Sequence, residues 1–475
     1  MSQPSSTSPS PPTNQLGHDT ARVATSAEVL DRFKSRELKY AKVGVFDIDG
    51  VLRGKLLNQS KFESALEKGF GFCDVIFGWD SDDQLYDNVK VTGWHTGYPD
   101  AEVRLLPETT RDLPFEFDGR GMLVLGEMSG EMEAVCPRGV LRRVLQRAAD
   151  LGYEVSAAFE YEFFVFEETP ESVRAKNYQD LTPITPGNFG YSVLRNSVWS
   201  EFYEALLDLS SRMDMPIEGI HTETGPGVIE AALRYGDALE SADRAALFKT
   251  FVKVLAQRQG LMATFMAKWS NDYPGQSGHI HVSMRRRDDQ RSAFFDPSKP
   301  HQMSDEMTRF VSGQQQLMPQ LLAMVSPTVN SYSRLIPGFW APTHSAWGVE
   351  NRTTALRVIH GSEKAQRVEY RVAAADGNPY LALAAAIGSG LWGIEQGVDP
   401  VAPLVGNAYE AKLPDQDRLP ATLWEAAQNL KASAAARSLF GDTFVDHYAA
   451  TREWEERAFR RAITDWELRR YFEII

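Results

Sequence analysis

Ala158-Phe159-Glu160-Tyr161-Glu162-Phe163-Phe164-Val165-Phe166 is an aromatic, apolar run interrupted by two carboxylates. Its residue types favour a strand, whose period of two puts Glu160 and Glu162 on one face and Tyr161 and Phe163 on the other. An isolated Glu-x-Glu is ordinarily the wet side of a half-buried strand. Here the aromatic density argues for burial on both faces. Like charges so close repel unless a cation lies between them, so a divalent metal stands beside the solvent-facing reading.

Working outward, His279-Ile280-His281-Val282-Ser283 repeats that geometry with imidazoles, and Gly275-Gln276-Ser277-Gly278 before it allows close approach of the chain. Alone, such a pair is more often structural; beside Glu-x-Glu it adds nitrogen to an oxygen site, which suits magnesium or manganese better than zinc. Glu223 and Glu230 flank a Gly225-Pro226-Gly227 turn, which could aim both at one point or be merely decorated. The loop from Asn330 through Arg334 to Trp340 is followed by Arg352, Arg357, Lys364, Arg367, Glu369 and Arg371. Arginines at that density suggest a site for carboxylate and phosphate groups, unless nearby acids simply balance them on a surface.

The rest of the 475 residues bounds the answer. With 43% hydrophobic residues the chain can bury a sizeable core in more than one domain. No run approaches the ~18 apolar residues of a membrane span, and the N-terminus does not read as a secretory signal. The two cysteines, Cys73 and Cys136, form no Cys-x-x-Cys pair, which suits a reducing cytoplasm and excludes a thiolate zinc site. Fifty basic against 64 acidic side chains give a formal charge of −14, so nucleic acid is not an expected partner, and without a spanning run neither is a membrane.

Residues 1–26, rich in Ser, Pro and Thr, are expected to form a disordered tail. Lys42 to Lys55 reads as a hairpin turning at Asp49-Gly50. It is not a phosphate loop: only three residues separate Gly50 from Gly54, and Leu56 stands where Ser or Thr is required. The acidic run Asp80, Asp82, Asp83 and Asp87 reads chiefly as a solvated loop, with a cationic ligand as the alternative. A helix from Arg138 to Ala149 follows a boundary near Glu133 to Pro137, giving domains over 27–135 and 136–475. Beyond it, strands at Val155–Phe166, His279–Met284 and Arg367–Val372 mix with helices at Ser197–Met213, Ala238–Met262 and Met303–Val325, an α+β pattern. The end, Trp466 to Ile475, is unusually apolar.

Taken in order, Glu-x-Glu, the two-glutamate turn, the histidine strand, the Asn330-Ser-Tyr-Ser-Arg334-Leu-Ile-Pro-Gly loop, Asn351-Arg352 with Arg357, and Lys364 with Arg367-x-Glu369-x-Arg371 resemble the glutamine synthetase family from about Lys42 to Ile475. The resemblance implies a β-grasp-like N-terminal domain and a catalytic domain with a curved antiparallel sheet and flanking helices. It implies a double-ring homo-oligomer, a dodecamer, with active sites shared between neighbours. Its substrates would be ATP, L-glutamate and an amine, with two or more Mg2+ or Mn2+ ions per site. Glu162, Glu223 and Glu230 would hold one ion, and Glu160, His279 and Glu369 the second. Arg334 and Arg371 would bind glutamate, with Arg352 and the backbone at Gly275. Glu218, His281, Ser283, Arg352, Arg357 and Lys364 would contact the nucleotide. Arg352 and Glu369 would be catalytic.

Three positions depart from the family's ammonia-using members. Trp340 stands where they carry a flap glutamate, Val228 replaces a turn glutamine, and Asp74 is an uncertain match to an ammonium-binding aspartate. An indole in place of the carboxylate removes the group that attracts and deprotonates ammonium and adds stackable area. Trp340 and Asp74 would then line a pocket for an aromatic or alkyl amine, polyamines included. Glutamine synthesis from ammonia and a non-catalytic structural role are the alternatives; the full set of metal and phosphate residues speaks against the second.

Overall fold

In the computed structural model, which describes residues 25–475, Thr25 caps helix α1 (Ser26–Ser35) through a reciprocal pair of bonds with Glu28. The tail expected over 1–26 otherwise lies outside the described residues. The expected hairpin is present as β1 (Tyr40–Phe46) and β2 (Leu52–Asn58), paired antiparallel. Asp47 ties its turn: Oδ1 accepts from the amides of Asp49 and Val51 at 3.0 and 2.8 Å, and Oδ2 from Nε of Arg53 at 2.8 Å. After α2 (Gln59–Lys68) come β3 (Phe70–Cys73), β4 (Asp100–Leu105), β5 (Arg111–Leu113) and β6 (Gly121–Met128). The sheet runs β2-β1-β6-β4-β3, with β5 on β6 and β1 parallel to β6. Val29, Phe33, Phe62 and Ala65 of α1 and α2 pack on Ala41, Val43 and Val124 of the sheet.

Helix α3 (Pro137–Asp150) leads into β7 (Tyr153–Phe166), the strand that carries Glu160 and Glu162. Then follow α4 (Pro170–Ala175), α5 (Val193–Val198), α6 (Ser200–Arg212), β8 (Ile217–Thr222), β9 (Val228–Leu233), β10 (Gly236–Asp237), α7 (Ala238–Arg258), β11 (Met262–Thr264) and β12 (Gly278–Arg286). The helix expected over Ser197–Met213 is two helices. Trp199, at φ −104° and ψ 26°, falls between them, and its indole N–H donates to the carbonyl of Ile184 at 2.7 Å. After α8 (Asp305–Val325) and α9 (Val329–Arg334) come β13 (Trp347–Val349), β14 (Leu356–Ile359) and β15 (Arg367–Tyr370), and then helices α10 (Pro379–Gln396), α11 (Leu423–Ala432), α12 (Ala434–Phe440), α13 (Asp442–Arg461) and α14 (Asp465–Tyr471).

The larger sheet is ordered β13-β14-β15-β12-β7-β9-β8, with β10 and β11 pairing β7. All its ladders are antiparallel except β13 with β14. One face is apolar. Phe159, Tyr161 and Phe163 of β7 are buried with Phe248 of α7, Phe265, Ile280 and Val282. Helix α10, almost wholly buried, crosses α8 where Gly313 meets Gly393; a methyl group on Gly313 would lie 2.5 Å from Cα of Gly393, so only glycine permits the approach. That face is filled, which leaves the opposite face of the sheet for chemistry.

The penultimate helix, α13, returns to the turn of the first hairpin. Arg452, fully buried, reaches Oδ1 of Asp49 at 2.7 Å and the carbonyl of Pro327 at 2.8 Å. Asn88 donates to the carbonyl of Ala450 at 2.7 Å, and Tyr86 meets Trp454 edge-on. Three residues beyond Arg452, Glu455 accepts from the amide of Val329 at 3.0 Å, fixing the start of α9. No helix among the described residues is long and apolar enough to cross a membrane.

Candidate active site

The strand registers decide which side chains meet. Glu160 stands opposite His279, Glu162 opposite Glu230, and Glu230 opposite His221; Glu369 faces both His281 and Arg357. Paired residues share a face of a sheet, so these acids, imidazoles and the arginine gather on the side away from the helices. Among the described residues two groups offer converging ligand atoms within 4.8 Å: Glu160 with His279 and Glu369, and His221 with Glu223 and Glu230.

In the first group His279 Nδ1 lies 3.8 Å from Glu160 Oε2 and 3.5 Å from Glu369 Oε1, while His281 Nε2 is 3.1 Å from Glu160 Oε1. Burial opposes ionisation of Glu160, but hydrogen bonding and charge from His279 and His281 outweigh it and hold the carboxyl well below the usual range. Glu369, almost fully buried, is clamped by Arg371 and by Arg357, whose Nη1 is 3.1 Å away. Burial again works against the charge, yet Arg371 and the two histidines bring this carboxyl down to about 2. Both acids are therefore ionised and ready to accept a cation.

Glu162 belongs to neither converging group. Its Oε2 accepts from the Ser277 amide at 2.7 Å. Burial, and then the facing Glu230, push its carboxyl up to about 8. Of the three glutamates implied for this side, Glu223 and Glu230 converge, together with His221. His221 is not in the implied set, although His221-x-Glu223 repeats the alternation of the other two motifs.

Arg334, at the end of α9, is 1% exposed. It donates to the carbonyls of Val372 and Arg371 at 2.9 and 3.1 Å and to the Ser277 hydroxyl at 2.9 Å. Burial draws its guanidinium down to about 10. Gly275 packs directly against its stem. Nε of Arg371 and the hydroxyl of Tyr409 are both buried without a hydrogen-bond partner, and Tyr409 feels the charges of Arg371 and Arg334. Unused polar capacity therefore surrounds the two arginines.

Beside Glu160 a cavity of about 290 Å3 is lined by Glu218, His281, Ser283 and Lys364. Tyr235 and Arg367 line it too; Arg367 Nε donates to His281 Nδ1 at 3.3 Å. Arg367 was legible as part of the arginine-rich segment, whereas nothing in the sequence around Tyr235 marks it. Arg357 lies between Glu350 and Glu369. Arg352 lines a different cavity, of about 490 Å3, with His301, His360 and Val405.

Trp340 follows α9 on the loop after Gly338; it is 55% exposed and in a left-handed conformation, φ 58°. Its neighbour Phe339 lies under the Lys268 ammonium, 4.6 Å from the ring centre. Asp74 is buried beside the smaller sheet, where Thr92 donates to Oδ1 at 2.7 Å and Oδ2 has no partner. Burial raises its carboxyl, with the charge of Asp100 adding to the effect. Its hydrogen-bond partners are Thr92 and Pro99, so within a single chain no hydrogen bond or ion pair among the described residues joins Asp74 to Trp340.

Comparison with known proteins completes the picture. The family described as glutamine synthetase, catalytic domain, matches residues 134–471. A type-1 glutamine synthetase 2 of Dictyostelium discoideum is 46% identical over 451 residues, covering 94% of this chain and 86% of that relative. A glutamate–isopropylamine ligase of Pseudomonas sp is 35% identical over 453 residues, 94% of this chain and 98% of its own. The solved GmaS/ADP complex superposes with a TM-score of 0.80 at 25% identity, over 94% of this chain and 99% of that one.

Proposed function

Because the chain belongs to the glutamine synthetase family, we propose that it is an ATP-dependent ligase joining the γ-carboxylate of L-glutamate to an aromatic or alkyl amine larger than ammonia, by way of a γ-glutamyl phosphate. The observation that carries the acceptor assignment is Trp340, an exposed indole on the loop leading from the buried Arg334. The similarity to a glutamate–isopropylamine ligase supports it.

The ligand groups fit divalent cations. Both combine carboxylate oxygen with imidazole nitrogen, and Glu223 Oε2 and His279 Nε2 are buried without hydrogen-bond partners. Mg2+ or Mn2+ held there would supply charge neutralisation for phosphoryl transfer. The protein's own groups do the rest. Arg334 and Arg371, with unsatisfied donor capacity nearby, hold the carboxylate of glutamate and aim its side chain at the nucleotide. Glu218, His281, Ser283, Lys364 and Arg367 line the nucleotide cavity, with Arg357 and Arg352 approaching the phosphates from the next strand and its loop. A preorganised set of cations stabilises the charge that spreads over the transferring group. Trp340 shields the acyl phosphate from water and receives the amine. An aryl amine is already neutral and needs no base, which offsets the missing flap carboxylate.

The domain division near residue 135 falls between the two sheets, and the hairpin, helix and parallel β1–β6 pair support a β-grasp-like N-terminal unit. Assembly into a cytoplasmic double-ring dodecamer would bring Asp74 of one chain to the amine pocket of another. The second reading, glutamine synthesis from ammonia, is favoured by the 46% identical relative. Incubation with ATP, Mg2+, glutamate and a panel of amines, with product masses measured, separates them. A γ-glutamylamide of a larger amine as main product is expected; ammonia as by far the best acceptor would defeat the proposal.

A further inference from the structure

We propose that Lys268 is a positioning residue for the acceptor end of the site: its ammonium clasps the loop that carries Trp340 through the ring of Phe339, and so keeps that loop over the acyl phosphate. The inference rests on the ligase reading above and deepens it by naming what holds the acceptor loop in place.

Lys268 is 4% exposed, although lysine is seldom buried without a counter-ion, and it has no ion pair among the described residues. Its Nζ donates to the carbonyl of Tyr273 at 2.9 Å and lies 4.6 Å from the centre of the Phe339 ring. In place of a carboxylate the ammonium therefore meets a π face, an attraction that strengthens away from water. The backbone of the same residue is pinned to α9. The Lys268 amide donates to Asn330 Oδ1 at 2.8 Å, and its carbonyl accepts from Asn330 Nδ2 at 2.7 Å. One residue thus holds the stretch from Asn330 to Phe339 at both ends, with Arg334 between them. The base of the clasp is itself braced. Trp269 stacks on Tyr273 at 6.2 Å and meets Phe166 and Phe164 of β7 edge-on at 4.9 and 5.7 Å.

The loop needs that hold. Of residues 336–340 only Phe339 is not exposed. Gly338 and Trp340, on either side of it, are both left-handed, at φ 82° and 58°. For a residue bearing an indole that backbone is unfavourable, and it persists only where neighbouring contacts impose it. The Phe339 ring seated on Lys268 is such a contact, one position away. Release of the ring would let Trp340 swing outward. Water could then attack the glutamyl phosphate and return glutamate and inorganic phosphate in place of the amide. Arg334 would stay where it is, because Asn330 is held by the backbone of Lys268 and not by its side chain.

Lys268→Met keeps most of the stem and removes the charge. In the full-length protein it is expected to raise the Michaelis constant for the amine about tenfold and the phosphate released per amide formed about fivefold or more. The constants for glutamate and ATP should move less than about twofold. Phe339→Leu should reproduce this, and Phe339→Tyr, which keeps the ring, should not. The Lys268→Met/Phe339→Leu double variant should be no worse than either single change, because both break one contact. Cleavage by chymotrypsin after Phe339 or Trp340, located by mass, supplies a readout without turnover. It should run about tenfold faster in Lys268→Met than in the native protein, with cleavage elsewhere unchanged. Equal rises in all three constants, additive effects in the double variant, or unaccelerated cleavage overturn the inference while the ligase reading stands. A native protein that makes no amide from any amine defeats the ligase reading, and the cleavage rates then decide the clasp by themselves.

Discussion

Gly275 and Arg334 are packed so closely that a methyl group on the glycine would lie 2.7 Å from Cγ of the arginine and 2.5 Å from the carbonyl oxygen of Ala267. The absence of a side chain is what lets the guanidinium reach Ser277 and the carbonyls of Arg371 and Val372.

Gly275→Ala should therefore push Arg334 out of register at a cost of about 1–3 kcal/mol. The Michaelis constant for glutamate is expected to rise roughly tenfold or more, with that for ATP little changed. Steady-state kinetics against each substrate checks this. Equal shifts in both constants would show that the glycine serves the fold and not the arginine.

The Trp340→Glu variant exchanges stackable area for a charge. It should improve the use of ammonia and weaken that of bulky or apolar amines. The ratio of kcat/KM values across an amine panel is the measurement. A ratio unmoved by the substitution means that this loop position does not set the acceptor.

His447 on α13 is fully enclosed, and burial drops its imidazole from the ordinary 6.5 to about 4. Between those values the unfolded chain binds a proton that the folded one refuses. Stability contributed by the neutral ring is therefore complete above pH 6.5 and is lost progressively as the pH falls to about 4. One such group is worth about 3 kcal/mol over that window. Thermal denaturation of the native protein and His447→Gln from pH 7.5 to 4.5 should give melting temperatures that converge as the medium acidifies. Parallel curves would contradict the assignment.

Trp466, Leu468, Phe472, Ile474 and Ile475 stand exposed at the end of the chain, Ile475 at 94%. Each could contribute about 1.5–3 kcal/mol if covered by a neighbouring subunit. Ending the chain after Asp465 is expected to yield particles of about half the mass, with activity declining only later. An unchanged sedimentation coefficient would remove the tail from the proposed contact between rings.

Most of the architecture could be read from local pattern. Glu160 and Glu162, and His279 and His281, announce their shared faces because a strand's alternation is a property of consecutive residues. The hairpin over Lys42–Lys55 follows from its turn. What sequence leaves open is register. Nothing in the order of residues tells that Glu230 faces both Glu162 and His221, so which side chains meet there becomes visible only in the folded sheet. Likewise Arg352 lines a cavity with His301 and His360, while Arg357, five positions on and within β14, pairs with Glu350 and Glu369.

The ion pair between Asp49 and Arg452 joins residues 403 positions apart. On a ribosome adding about 5–20 residues per second, the turn of the first hairpin is exposed for roughly 20–80 s before its partner exists. During that interval the Asp49 carboxylate lacks the guanidinium that meets it in the folded chain. The same late arginine, through Pro327, and Glu455 beside it, through Val329, seat the helix that ends in Arg334. The contacts that seat the helix ending in Arg334 are therefore completed only when residues 452 and 455 have been made.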